Sequence, residues 1–76
     1  MMTPKEALVQ TGRNLNRIRI EKGWSTEALS VLSQVNPDLI DGIESGNVGH
    51  LVNNIFALAG TLNVYIRCII VDNLTI

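Results

Sequence analysis

The chain has 76 residues, about half of a typical domain, which excludes a multidomain enzyme and leaves room for one small core. Apolar residues make up 46% of it and charged residues only 17%, below the roughly 25% usual for globular proteins, so part of its apolar surface is expected to be covered by a second chain. Six Lys and Arg against seven Asp and Glu give a formal net charge of −1, and with no overall basic field any contact with nucleic acid must be local.

Thr3-Pro4-Lys5-Glu6 starts a helix: Thr can cap, Pro is tolerated at the first helical position, and Glu three residues after the cap completes a capping box. This first helix should cover residues 4–22 and stop at Gly23, with Leu8, Gly12, Leu15 and Ile18 on one face and Arg13, Arg17 and Ile20 on the other. Trp24 falls at the apolar junction with the next helix and is expected in the core. Ser25 caps a short second helix to about Ser33, with Glu27 in its first turn and Leu29 and Leu32 on its buried side. Asn36-Pro37-Asp38 repeats the start signal, placing a third helix over residues 37–45 that ends at Gly46. After a loop at Asn47-Val48-Gly49, Val52, Ile55, Phe56, Ala59 and Leu62 recur at helical spacing over a fourth helix at residues 50–61, with His50 a loop residue at its start. Residues 64–71 are dense in β-branched and aromatic types and read as a lone strand, whose backbone needs a partner from another chain. Val64, Ile66, Cys68 and Ile70 would form one face and Tyr65, Arg67, Ile69 and Val71 the other, with Cys68 a small buried hydrophobe. The expected fold class is all-α, a four- to five-helix domain at residues 1–62, followed by a C-terminal strand and tail at 63–76 that pairs between subunits.

Two short helices joined by a three- or four-residue turn are the arrangement that places a helix in the DNA major groove. Leu15-Asn16-Arg17-Ile18-Arg19, Lys22-Gly23-Trp24-Ser25-Thr26-Glu27-Ala28-Leu29, Val35-Asn36, Leu39-Ile40-Asp41-Gly42-Ile43-Glu44-Ser45-Gly46 and Leu58-Ala59-Gly60-Thr61-Leu62 follow in matching order and spacing. On these residues the chain resembles helix-turn-helix regulators of the phage repressor and Cro type over roughly residues 14–62. The strand right after the fourth helix is similar to that of small antitoxin repressors of the high-persistence type, in which such a strand pairs across the dimer axis.

The resemblance implies that Arg19 pairs with Glu44. The helical wheel agrees, since Arg19 lies at the edge of the Leu8/Leu15 face and Glu44 lies beside Ile40 and Ile43, where an unpaired charge is costly. A phosphate contact by Arg19 would supplement that structural role. Thr26 stands where the family usually carries a phosphate-binding glutamine, and its hydroxyl and the helix N-terminus can serve the same end or merely cap. By position Asn36, Pro37, Asp38 and Asp41 would face base edges, with Gly42 and Ser45 toward the DNA backbone and Asn47 a further DNA-binding candidate. None is basic. Asp accepts from cytosine and Asn reads adenine, but two acids approach a polyanion with like charge, so a solvated surface is the competing reading. Gly42 inside a helix suggests close approach of DNA or protein to that backbone. Arg13, Arg17 and Lys22 are either phosphate contacts at the margin or a solvated face.

These residues imply a dimeric, sequence-specific regulator whose partners are double-stranded DNA and a second copy of itself. In the antitoxin form it represses its own operon and also binds a toxin. The alternative is a protein-interaction module that keeps the fold without DNA binding. One Cys and one His leave no disulfide framework, metal set or nucleophile with a base, so neither an enzyme nor a cofactor is expected. No signal peptide or membrane span is visible, and a cytoplasmic location with no membrane partner is the corresponding expectation.

Overall fold

A computed structural model describes residues 2–47 and 52–70. Helix α1 spans Pro4–Glu21, α2 Thr26–Ser33, α3 Pro37–Glu44 and α4 Val52–Leu62, and a single 3₁₀ turn, Ile66–Cys68, follows. Each of the first three helices starts at the cap its sequence announces. The Thr3 hydroxyl accepts from the Glu6 amide at 3.1 Å while the Thr3 amide donates to Glu6 Oε1 at 3.0 Å, closing the capping box. Ser25 Oγ accepts from the Ala28 amide, and Asn36 Oδ1 accepts from that of Asp38. The expectations for Val48, Gly49 and His50 lie outside the described residues, as does that for Val71.

The core collects one face of each helix: Leu15 and Ile18 from α1, Leu29 from α2, Ile40 and Ile43 from α3, and Ile55, Leu58 and Leu62 from α4. Trp24 packs half-buried against this cluster. Two positions assigned to the core by helical spacing point outward instead, with Leu32 61% and Phe56 56% exposed. The spacing groups residues by angle but does not say where the neighbouring helices sit, and at these two angles none covers the side chain. Gly12 is buried at the crossing of α1 over the end of α3, where a Cβ would overlap the carbonyl oxygen of Ile43 and come within 2.8 Å of that of Glu44.

The segment read as a strand is not one. Among the described residues there is no strand, and residues 64–70 fold back in turns closed by Val64 N–H to Ala59 O, Cys68 N–H to Tyr65 O and Ile70 N–H to Ile66 O. Ile69 is fully buried in the common core, and Asn14 Nδ2, 55 residues away in sequence, donates to its carbonyl at 3.1 Å. Tyr65, Arg67 and Cys68 are exposed, so the expected alternation of faces is lost and Cys68 is not a buried hydrophobe. The β-preference of Val and Ile expresses a fit to a pleated, half-covered surface; with no strand beside it, the segment satisfies its backbone locally and buries one isoleucine. Pairing of this segment between subunits as strands, and with it the likeness to high-persistence antitoxins, loses its structural basis.

Candidate nucleic-acid interface

The connection from α2 to α3 is fixed by its own polar groups. Gln34 ends α2 in the left-handed conformation, φ 60°, and donates its amide to Ser30 O at 2.8 Å. Ser30 Oγ donates to Val35 O at 2.6 Å, and the Val35 amide donates to Ser33 Oγ at 3.2 Å. Val35 itself is buried, so the turn is tied both by hydrogen bonds and by packing. Asn36 then caps α3 and Pro37 occupies its first turn.

Behind α3 lies the α1 crossing. Gly46, at φ +76°, lets the chain leave α3 against Val9, whose Cα would lie 3.1 Å from a Cβ at that position. Arg19 donates from Nε to Glu44 Oε2 at 2.7 Å and from Nη2 to Glu44 Oε1 at 3.0 Å, a two-pronged pair whose side chains are 12% and 10% exposed. Nη1 donates to the Trp24 carbonyl at 2.7 Å, and Asn16 Nδ2 donates to Glu44 Oε1 at 2.8 Å. The hydrogen bonds that Arg19 donates to Glu44 hold its guanidinium further toward the charged form than usual, against the effect of burial, with Asp41 and Glu27 adding attraction. Arg19 is thus a bolt between α1, the start of α2 and α3. All three of its guanidinium nitrogens donate within the fold.

With Ile40 and Ile43 buried and Leu39 half-buried, α3 turns Pro37, Asp38, Asp41 and Ser45 to solvent. Asn36 and Asn47 are exposed at either end of the same helix, Gly42 is half-buried, and Ser45 Oγ donates to Gly42 O at 3.0 Å. Ser25 does the capping of α2, so the hydroxyl of Thr26, half-buried at the first position of that helix, is not needed for the cap. No Lys, Arg or His occurs between Thr26 and Asn47. Arg13 on α1 and Lys22 at its C-cap are exposed, and Arg17 sits 3.4 Å from Glu21 in an exposed pair. Among the described residues no group of three His, Cys, Asp or Glu is arranged to hold a metal ion, and no helix is long and apolar enough to cross a membrane.

Sequence reasoning missed three positioning residues. Asn16 joins the Arg19–Glu44 pair and had a visible signal, since it lies three residues before Arg19 and so on a neighbouring angle of α1. Ser30 and Asn14 act on carbonyls that only the folded turn brings to them.

This architecture recurs in solved transcription regulators. The restriction-modification controller protein C.AhdI from Aeromonas hydrophila superposes with a TM-score of 0.78 at 34% identity, covering 82% of this chain and 94% of that one. The chain belongs to the helix-turn-helix family of that controller protein. An HTH_3 family transcriptional regulator from Vibrio cholerae matches with a TM-score of 0.83 at 21% identity over 88% of this chain, which spans 38% of that larger protein. The hypothetical transcription factor NHTF from Neisseria matches with a TM-score of 0.81 at 19% identity, over 96% of this chain and 84% of that one. These two show the shared fold. No family model and no curated protein matches the chain. Within this fold α2 and α3 are the helix-turn-helix pair.

Proposed function

We propose that the chain is a dimeric, sequence-specific DNA-binding transcription regulator, with α3 as the reading helix. The observation that carries this is the exposed outer face of α3, held at a fixed angle by the Ser30–Val35 turn and the Arg19–Glu44 bolt, in a chain 34% identical to a controller protein. Thr26 and the N-terminus of α2 would meet a phosphate, Asn36, Pro37, Asp38 and Asp41 the base edges, and Gly42, Ser45 and Asn47 the sugar-phosphate margin. Control of restriction-modification genes is the target class that this relative offers.

The dimer surface we assign is a shallow groove along α4 and the C-terminal turn, lined by Phe56, Ala59, Gly60, Val64, Tyr65, Ile66 and Arg67. Phe56 and Tyr65 stand exposed there, and Arg67 lies over the Tyr65 ring at 5.1 Å. Packing of two such turns replaces the strand pairing expected from the sequence, with Ile69 and Ile70 as support from beneath.

Selection from random duplexes at low salt tests the proposal. The expected product is a pseudo-palindrome with half-site centres about 34–36 Å apart, bound with a shallow salt dependence because so few cations face the DNA. The acidic face of α3 favours the interaction module as the second reading, and selection that enriches no motif would establish it over the first.

A further inference from the structure

The inference rests on the DNA-binding reading above and concerns which base α3 selects. The outer face of α3 offers hydrogen-bond acceptors and is nearly without donors. Asp38 and Asp41, once ionised, only accept, and Pro37 has no N–H. The Ser45 hydroxyl donates to Gly42 O, and Asn36 Oδ1 is held by the Asp38 amide, which leaves that asparagine's amide hydrogens at the helix start. The cation behind the helix, Arg19, is locked to Glu44 and to the Trp24 carbonyl.

In the major groove guanine presents N7 and O6, both acceptors, and thymine presents the O4 acceptor and a methyl group. A carboxylate meets lone pairs at either. Adenine presents its N6 amino group beside the N7 acceptor, whereas cytosine presents the N4 amino group without a neighbouring acceptor on the same base. From this inventory we infer that Asp38 and Asp41 read the N4 amino group of cytosine, each selecting a base pair whose cytosine faces α3. A site without those cytosines leaves two carboxylates desolvated against a polyanion, so discrimination arises mainly from rejection of wrong sites. Modification of cytosine on that same edge is therefore sensed directly: an N4-methyl group removes one of the two hydrogens and crowds the carboxylate.

The test uses the full chain and the duplex that random selection returns, with binding followed by fluorescence anisotropy at low salt. Placing N4-methylcytosine at a selected cytosine is expected to weaken binding by about tenfold per position. Placing 7-deazaguanine in the opposite strand, which removes the guanine N7 acceptor and keeps the pairing, is expected to leave it unchanged. Asp41→Asn, a surface change that leaves the packing of α3 intact, is expected to shift selection at one position from cytosine to adenine and to abolish the response to N4-methylcytosine there. A selected site that tolerates N4-methylcytosine but loses binding with 7-deazaguanine would overturn the inference while leaving DNA binding in place. Failure to select any duplex would instead overturn the DNA-binding reading itself, and the inference with it.

Discussion

Replacing Gly12 by Ala probes the close approach of α1 to the end of α3. The new Cβ would overlap the carbonyl oxygen of Ile43 and stand 2.8 Å from that of Glu44, and both are backbone atoms at the end of α3, so relief requires moving one helix away from the other. Overpacking against backbone atoms that no side-chain rotation can move falls in the upper part of the usual range, about 2–3 kcal/mol. Against it stands the better helix propensity of Ala, about 1 kcal/mol in a helix interior, leaving a net loss of about 1–2 kcal/mol. Gly60 supplies the control, because a Cβ there meets nothing within 4 Å and only the propensity gain of about 0.5–1 kcal/mol applies. One and the same substitution thus has opposite signs at the two positions. In thermal unfolding followed by circular dichroism on dilute chain, Gly12→Ala should lower Tm and Gly60→Ala should raise it, by about 4–8 °C per kcal/mol for a domain of this size. Because Glu44 sits at the same crossing, Gly12→Ala should also weaken binding to a selected duplex. A Gly12→Ala protein as stable as the parent would refute the close contact of α1 with α3, and with it the account of how α3 is held.

Arg19 and Glu44 should behave as a unit: Arg19→Met leaves a nearly buried carboxylate with only Asn16 as donor and should cost about 3–5 kcal/mol, while adding Glu44→Leu should recover much of it. Additive losses in the double-mutant cycle under denaturant would show that the pair contributes no coupling. Gln34→Gly relieves a non-glycine residue held at φ 60° and should stabilise the chain by about 0.5–1 kcal/mol, which a denaturant midpoint measures; a loss would show that the Gln34 side chain supports the turn. Hydrogen bonds from the Thr3 backbone and hydroxyl hold the Glu6 carboxyl below the ordinary value of 4.5. A carboxyl with a depressed folded value stabilises fully above its unfolded one and loses that contribution as pH falls through the depressed value. The stability advantage of the parent over Glu6→Gln should therefore be constant above about pH 4.5 and vanish in more acidic solution, and an advantage that persists there would remove the charged capping box from the account.

What could be read from the sequence is what is local. Thr3 with Glu6, Ser25, and Asn36 with Pro37 each determine a helix start within four residues, and each start is found where its cap stands. Arg19 and Glu44 were legible because each is a charge on the edge of an apolar face, a conflict that only another charge resolves. Residues 64–70 were misread for the opposite reason. Their composition fits a strand, but the outcome was decided by a pocket for Ile69 and by a side-chain donor on α1, neither of which has any trace within the segment. Leu32 and Phe56 show the same limit at single positions, since a helical wheel has no knowledge of the next helix.

The acidic face of α3 is a different case, because there the residues were assigned correctly to the surface and their chemistry is what needs explaining. The structure separates them by use. Asn36 and Pro37 are accounted for by starting the helix, Gly46 by leaving it, and Ile40, Ile43 and Glu44 by fixing it to α1. Asp38 alone of the two acids favours the helix dipole at the first turn, whereas Asp41, a turn further on, gains little from it. Asp41 stands exposed at the centre of the face that would enter a groove, with no requirement of the fold on its side chain beyond a distant attraction to Arg19. A residue that local structure does not demand, at the point where a regulator of this fold meets its ligand, is where a departure from local rules carries information about function. For that reason Asp41 is the position at which the base-selection experiment discriminates most sharply between a reader of cytosine and a solvated surface.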